Sequence, residues 1–320
     1  MRLALVGYGR VGRAFARLLE AKRAAFPFRI TGIHTARHGT VYDERGLASE
    51  PRFGPPAASI EEFLDRAAAE IMLELTPLNP TSGEPAVSHI RAAFARRMHV
   101  VTANKGPIAC AYAVLREEAR RAGVQFRFES TVMDGAPLFN LVQYTLPGVE
   151  VRGFAGVLNS TSTVVIEALS EGFSREEAVD RARRLGVTEA DARYDIDGWD
   201  AAAKTAALAN VLMDARVTPL QVQTKGIGRL TPEKVRQIAA KGKSVRLVSR
   251  AKRTATGVRL RVRAEVLDQR DPLAMVRGTS NLLLLETDLM GTVGILSVAP
   301  GLEQTAYGLF SDVVAVARES

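Results

Sequence analysis

The chain has 320 residues, 47% hydrophobic and 24% charged, which suits about two folded domains and excludes a disordered or fibrous protein. A single cysteine, Cys110, excludes an intrachain disulfide framework, and no apolar run reaches the ~18 residues of a membrane span; a cytoplasmic protein with no membrane partner is expected. The formal charge of +8 rests on arginines scattered along the chain, without zinc-finger spacing or an aromatic RNA-binding run, so no nucleic-acid partner is expected.

The segment 2–6, RLALV, reads as a buried first strand rather than a signal peptide, and 11–24 as a helix with Val11, Phe15, Leu18 and Leu19 on its apolar face. Strands follow at 28–33, 71–75, 98–102 and 124–128, with helices at 84–96 and 107–121 between the later ones. This alternation predicts a largely parallel sheet. The pattern changes near Thr131. A strand at 150–159 leads into a helix at 162–169. A second helix at 174–185 has Ser174 as its cap, Glu177 three residues on, Val179 and Leu185 inward, and Gly186 as its stop. An alanine-rich helix spans 198–213. Four candidate antiparallel strands lie in 243–298; in one of them Val258, Leu260, Val262, Ala264 and Val266 alternate with polar residues, predicting one packed face. A last helix, 302–317, is expected to return to the first domain.

Gly7-Tyr8-Gly9-Arg10-Val11-Gly12 follows the first strand and opens the first helix, the context in which a GxGxxG motif carries weight. Gly7 permits the tight turn, Gly9 lets the backbone approach a pyrophosphate, and Gly12 lets helix and strand pack closely. The unpaired amides of the helix start then face the phosphates. The second strand ends at Ile33-His34-Thr35-Ala36-Arg37-His38 without the carboxylate that would bind an NAD ribose. Arg37 and His38 suit a 2′-phosphate instead, which favours NADP over NAD.

Between Glu189 and Lys204 lie five carboxylates, directly before an apolar helix. Asp200 and Lys204, four residues apart, share one helical face. A second lysine, Lys105 in VTANKGP, comes just after a strand, at the carboxyl end of the sheet where ligands bind in open α/β folds. Two lysines suit a carbonyl substrate that develops alkoxide character during hydride transfer, and carboxylates suit an amino group. Each feature alone is equally a surface ion pair. Cys110 lies in helix-like sequence without an evident histidine partner, which argues against an acylating dehydrogenase with a thiol nucleophile.

GYGRVG at 7–12, ELTPLNPTSGEPA at 74–86, VTANKGPIA at 101–109, VLNSTS at 157–162 and LGVTEADARYDIDGWDAAAK at 185–204 together resemble the homoserine dehydrogenases, over nearly the full chain. The resemblance implies an α/β fold: an N-terminal Rossmann-type nucleotide-binding domain (1–130), a second α+β catalytic and dimerisation domain (131–300), and a helix, 301–320, returning to the first. It implies reversible NAD(P)-dependent reduction of L-aspartate 4-semialdehyde to L-homoserine. Lys204 is then the acid–base residue and Lys105 a second lysine near the substrate. Glu189 and Asp200 hold the amino end, Asp195 supports them, and Asn159, Ser160 and Thr161 border the substrate. Tyr8, Arg10, Val11, Thr76, Pro77, Asn104 and Lys105 join the three glycines around the cofactor. Glu129 with Val132 resembles the family's monovalent-cation site, for Na+ or K+. The resemblance also implies a homodimer and, because the chain stops after the last helix, no appended regulatory domain and little feedback by threonine. Ser160 stands where the family usually has glycine, and Val187 where tyrosine is common. The alternatives are another amino-acid-pathway dehydrogenase of the same plan, and a nucleotide-sensing or nucleic-acid-binding protein, for which the acidic–lysine cluster is awkward. The leading reading expects both lysine ammonium groups to face the nicotinamide.

Overall fold

A computed structural model of the chain describes residues 1–188 and 192–319. The chain divides into two compact units, Met1–Leu141 with Gly301–Ser320, and Val142–Pro300.

The first unit is built on a six-stranded sheet. Its strands are β1 (Arg2–Val6), β2 (Arg29–Thr35), β3 (Gly39–Tyr42), β4 (Ile71–Glu74), β5 (His99–Thr102) and β6 (Phe126–Arg127), in the order β3-β2-β1-β4-β5-β6. All neighbours run parallel except β2 and β3, which form an antiparallel hairpin. The helices are α1 (Arg10–Lys22), α2 (Ile60–Ala67), α3 (Ala86–Ala95) and α4 (Lys105–Ala122). The strands read as nearly unbroken apolar runs because both faces are covered. Leu3 and Leu5 of β1 point to a core with Phe15, Leu73, Leu309, Phe310 and Val313, whereas Ala4 and Val6 point to one with Phe63, Met72, Ile90, Val100 and Leu115. Three of the first set come from the C-terminal helix, Leu302–Glu319, so that helix completes this unit. The hairpin strand β3 and helix α2 are additions that the sequence pattern leaves as loop.

The sequence reading divides the chain after residue 130, but the compact unit runs on to Leu141. The reason is Glu129. Its carboxylate accepts hydrogen bonds from the backbone amides of Leu138 (2.6 Å), Phe139 (2.8 Å) and Asn140 (2.8 Å). Its own amide donates to Asp312 Oδ2 of the C-terminal helix at 2.8 Å. Burial pushes the Asp312 carboxyl up to about 7.

The second unit carries another six-stranded sheet: β7 (Val151–Val157), β8 (Gln223–Lys225), β9 (Lys243–Thr254), β10 (Gly257–Asp268), β11 (Asn281–Thr287) and β12 (Thr292–Ser297), ordered β12-β11-β7-β9-β10-β8. It is antiparallel except where β8 joins β10. Its helices are α5 (Ser160–Glu171), α6 (Arg175–Arg184), α7 (Arg193–Ile196), α8 (Trp199–Met213) and α9 (Pro232–Ala239). The capping box at Ser174 and Glu177 forms as expected. The inward face of α6 differs from expectation: Ala178 and Ala182 are buried, while Leu185 lies exposed beyond the helix end. In β10 the alternation also ends early. Val266 is exposed, and Leu267 packs instead on the turn Pro272–Met275, with Leu273, Ala274 and Val276. Among the described residues no helix is long and apolar enough to cross a membrane.

Candidate active site

In the first unit the chain reverses its direction of travel across the sheet between β1 and β4, and the segments after β1, β4 and β5 gather at the carboxyl ends of adjacent strands. That crevice is the ligand position of open α/β sheets. Gly7 has φ +96°, and a Cβ there would stand 2.7 Å from the main chain of Leu75, so only glycine fits. A Cβ on Gly9 would meet nothing within 4 Å, leaving its face open to a ligand. On Gly12 it would press on Tyr8 at 3.2 Å and on the carbonyl of Gly7 at 3.3 Å, the close helix–strand packing expected of the third glycine. No side chain caps α1 and no acid lies in its first turn, so its amides are free of the usual protein competitors for an anion.

The other candidates differ in what they can offer a ligand. The Tyr8 side chain is buried and its hydroxyl donates to the carbonyl of Ser49 at 2.6 Å; burial pushes its pKa up to about 12. Tyr8 can therefore offer a ligand only its main chain. Val11 packs against the core, and Arg10 is exposed. Arg37 and His38 sit exposed on the β2–β3 turn, whose shape is held by the amide of His38 donating to Thr35 Oγ1 at 2.8 Å. After β5, Asn104 caps α4 by accepting from the amide of Gly106 at 2.9 Å, and its Nδ2 reaches Thr76 Oγ1 and the carbonyl of Pro77, each at 3.4 Å. Lys105, half-buried, is the first residue of α4. An ammonium there opposes the helix dipole, so local sequence preference does not account for it. The Cys110 thiol points at the carbonyl of Pro80 (3.6 Å), and burial pushes it up to about 11, far from a thiolate nucleophile.

The candidates for holding a cation need one correction of emphasis. Both carboxylate oxygens of Glu129 are taken by backbone amides, so any alkali ion here would rest on main-chain oxygens such as that of Val132. Among the described residues no group of three or more His, Cys, Asp or Glu side chains is placed to hold a metal ion.

In the second unit, one amide side chain organises two carboxylates. Asn159 Nδ2 donates to Asp195 Oδ1 (2.6 Å) and to Asp200 Oδ2 (3.0 Å), while its Oδ1 caps α5 through the amide of Ser162 at 2.7 Å. Lys204, one turn along α8 from Asp200, lies 3.6 Å from Asp200 Oδ2, and its Nζ donates to the carbonyl of Leu158 at 2.6 Å. Thr188 Oγ1 donates to Asp195 Oδ2 at 3.1 Å. The Asp195 carboxyl is pushed above its ordinary value by burial and then by the charge of Asp200, against the pull of its hydrogen bonds. Gly198, at φ +86°, turns the chain from α7 into α8, and a Cβ on the facing Gly226 would sit 2.0 Å from the carbonyl of Ile196. Thr161 and Ser160 hydroxyls donate to the carbonyls of Val187 (2.8 Å) and Thr279 (2.9 Å), so both side chains tie the site together. Thus Asn159, Asp195, Asp200 and Lys204 converge as expected, joined by Thr188 and the carbonyl of Leu158, which the residue pattern does not reveal. Glu189 lies outside the described residues.

A lysine held by a carbonyl and a carboxylate can pass a proton to a developing alkoxide, and the sheet of the first unit can hold a dinucleotide. The chain matches the family "Homoserine dehydrogenase, NAD binding domain" over residues 7–129 and "Homoserine dehydrogenase" over residues 137–314. It is 34% identical to an NAD(+)-dependent homoserine dehydrogenase of Pseudomonas canavaninivorans, over 98% of this chain and 95% of that one. It is also 34% identical to a homoserine dehydrogenase of Methanocaldococcus jannaschii, over 98% of each. The crystal structure of a Thermoplasma acidophilum homoserine dehydrogenase superposes with a TM-score of 0.85 at 26% identity, covering 99% of both chains. The chain therefore belongs to the homoserine dehydrogenase family, and it catalyses that family's NAD(P)-dependent oxidoreductase reaction in aspartate-derived amino-acid metabolism.

Proposed function

We propose that the reduction of L-aspartate 4-semialdehyde to L-homoserine is carried out here with Lys204 as the proton donor to the substrate oxygen, and that the reverse reaction uses the same residue as base. The observation that supports this most is the fixing of Lys204 Nζ by Leu158 and Asp200 within a largely buried cluster. When bound, the reduced nicotinamide cofactor supplies the hydride. Lys204 delivers the proton that turns the incipient alkoxide into an alcohol, and Lys105 contributes positive charge to the same substrate. Asp200 and Glu189 hold the substrate amino group, Asp195 supports them, and the Asn159–Thr161 segment borders the substrate.

Gly7, Gly9 and Gly12, with the main chain of Tyr8, Arg10 and Val11, hold the pyrophosphate, and Thr76, Pro77 and Asn104 border the nicotinamide half. Arg37 and His38 favour NADP by meeting its 2′-phosphate. The Pseudomonas relative is named for NAD(+), so both cofactors belong in the assay. Main-chain oxygens at Glu129 and Val132 bind Na+ or K+. Apolar side chains exposed on and around β12, including Leu289, Met290, Leu296 and Val298, support a homodimer formed through the second unit in the cytoplasm.

The test is homoserine oxidation with NADP and NAD side by side, on the parent, Lys204→Ala and Lys105→Ala. Loss of the proton donor lowers kcat by about 10²–10⁴-fold. A Lys204→Ala enzyme with more than about a tenth of parental turnover removes it from that role.

A further inference from the structure

A carboxylate with no exposure at all lies under the cofactor crevice. Glu74 closes β4, in the middle of the parallel sheet, and is 0% exposed. A buried carboxylate is costly unless hydrogen bonds compensate it. Here they come from Thr76, in the loop after β4 that carries candidate cofactor residues. Thr76 donates twice to Glu74 Oε1, through its hydroxyl and through its amide (3.2 Å). Thr102, at the end of β5 and also 0% exposed, donates its hydroxyl to the Glu74 carbonyl at 2.8 Å and stands 3.5 Å from Oε2. The same Thr102 oxygen accepts the amide of Asn104 at 2.9 Å, and Asn104 Nδ2 closes the circuit on Thr76 Oγ1. His89 Nδ1 faces Glu74 from α3 at 3.5 Å, too far for a hydrogen bond.

We propose that Glu74 is a positioning residue for the reaction: its carboxylate fixes Thr76, whose hydroxyl receives Asn104 Nδ2, and so sets the place of Asn104 and of Lys105 at the start of α4. Simple strand pairing does not need a charge at this position, since an apolar side chain would fill the same space without a desolvation cost. The carboxylate is instead matched by the two donors of Thr76 in the loop after β4, with Thr102 Oγ1 and His89 Nδ1 each 3.5 Å away. A displacement of about 1 Å in such loops is enough to cost activity by about 10²-fold.

The inference rests on the reading that these loops hold cofactor and substrate, and the experiment separates the two. Cofactor affinity, kcat with homoserine and melting temperature are measured for Glu74→Leu, Glu74→Gln, Thr76→Val, Lys105→Ala and Met72→Ala, the last a packing control in the same strand. Glu74→Leu and Thr76→Val are expected to weaken cofactor binding and lower kcat by about tenfold or more, whereas Glu74→Gln, which keeps an acceptor for Thr76, stays within about threefold of the parent. A purely structural role predicts that Met72→Ala lowers affinity and kcat as much as Glu74→Leu at equal loss of melting temperature, and that result overturns the proposal. So does parental behaviour of a folded Glu74→Leu enzyme or, if that variant does not fold, of Thr76→Val. If Lys105→Ala is also parental, the reading of the loops fails; if only the Glu74 and Thr76 variants are parental, the reading stands and Glu74 is not its anchor.

Discussion

Asp195 and Asp200 each accept a hydrogen bond from the same Asn159 amide. Burial, and then the charge of Asp200, holds the Asp195 carboxyl above its ordinary 3.8. The folded protein therefore binds this proton more tightly than the unfolded chain does. Its contribution makes stability fall as pH rises from about 3.8 toward the raised folded value. Asp195→Asn keeps the shape and an acceptor for Asn159 while removing the charge. We expect a melting temperature at pH 7.5 no lower than the parent's, and a kcat lower by about tenfold or more, the usual opposition of stability and activity at a charged site. Thermal melts over pH 5 to 8 check it; a clear drop in melting temperature would show that the charge stabilises the fold. The acidic cluster and its lysine are legible as a line of residues, because Asp200 and Lys204 share a helix face. The carbonyl of Leu158 that receives the lysine is not, since a main-chain acceptor from another element leaves no mark on composition.

At the scale of elements, the β1–α1 turn separates folding from binding within three residues. Gly7→Ala forces a Cβ into the main chain of Leu75 at positive φ, and is expected to cost several times the ~1 kcal/mol of an ordinary glycine replacement. Gly9→Ala meets nothing in the protein. Its melting temperature should match the parent's, while cofactor affinity falls because the methyl group occupies the face a pyrophosphate approaches. Calorimetry of each variant with and without cofactor gives both numbers. Equal affinity of Gly9→Ala and parent would place the phosphates elsewhere. Strands β1, β4 and β5 were readable from apolar runs of the right length, because a parallel strand covered on both faces has no alternation to disguise it. The hairpin strand β3 and the short helices α2 and α9 were not. Their residues are mixed in polarity, and each element is short.

The whole molecule carries a formal charge of +8, and both nicotinamide cofactors are anionic. A positive field speeds the encounter with an anion and is screened by salt. We expect kcat/KM for the cofactor to fall as ionic strength rises from about 0.01 to 0.3 M, and to fall more steeply for NADP, which has the extra phosphate, than for NAD. Equal slopes would mean that Arg37 and His38 do not meet the 2′-phosphate. Alanine at both positions should then leave the ratio of NADP to NAD efficiency unchanged, whereas the proposed contact predicts a marked loss for NADP alone.

The linear chain by itself determined the glycine turn, the alternation of strands and helices in the first unit, and the pairing of Asp200 with Lys204 on one helical face, since all three follow from short spacings along the chain. Only the tertiary structure decided where the first unit ends, which carboxylates are buried, and what Glu74 and Glu129 hold. A carboxylate's sequence neighbours do not show whether it faces water or a set of backbone amides. That depends on loops brought together by the sheet, and burial is the quantity that turns an ordinary acid into an anchor.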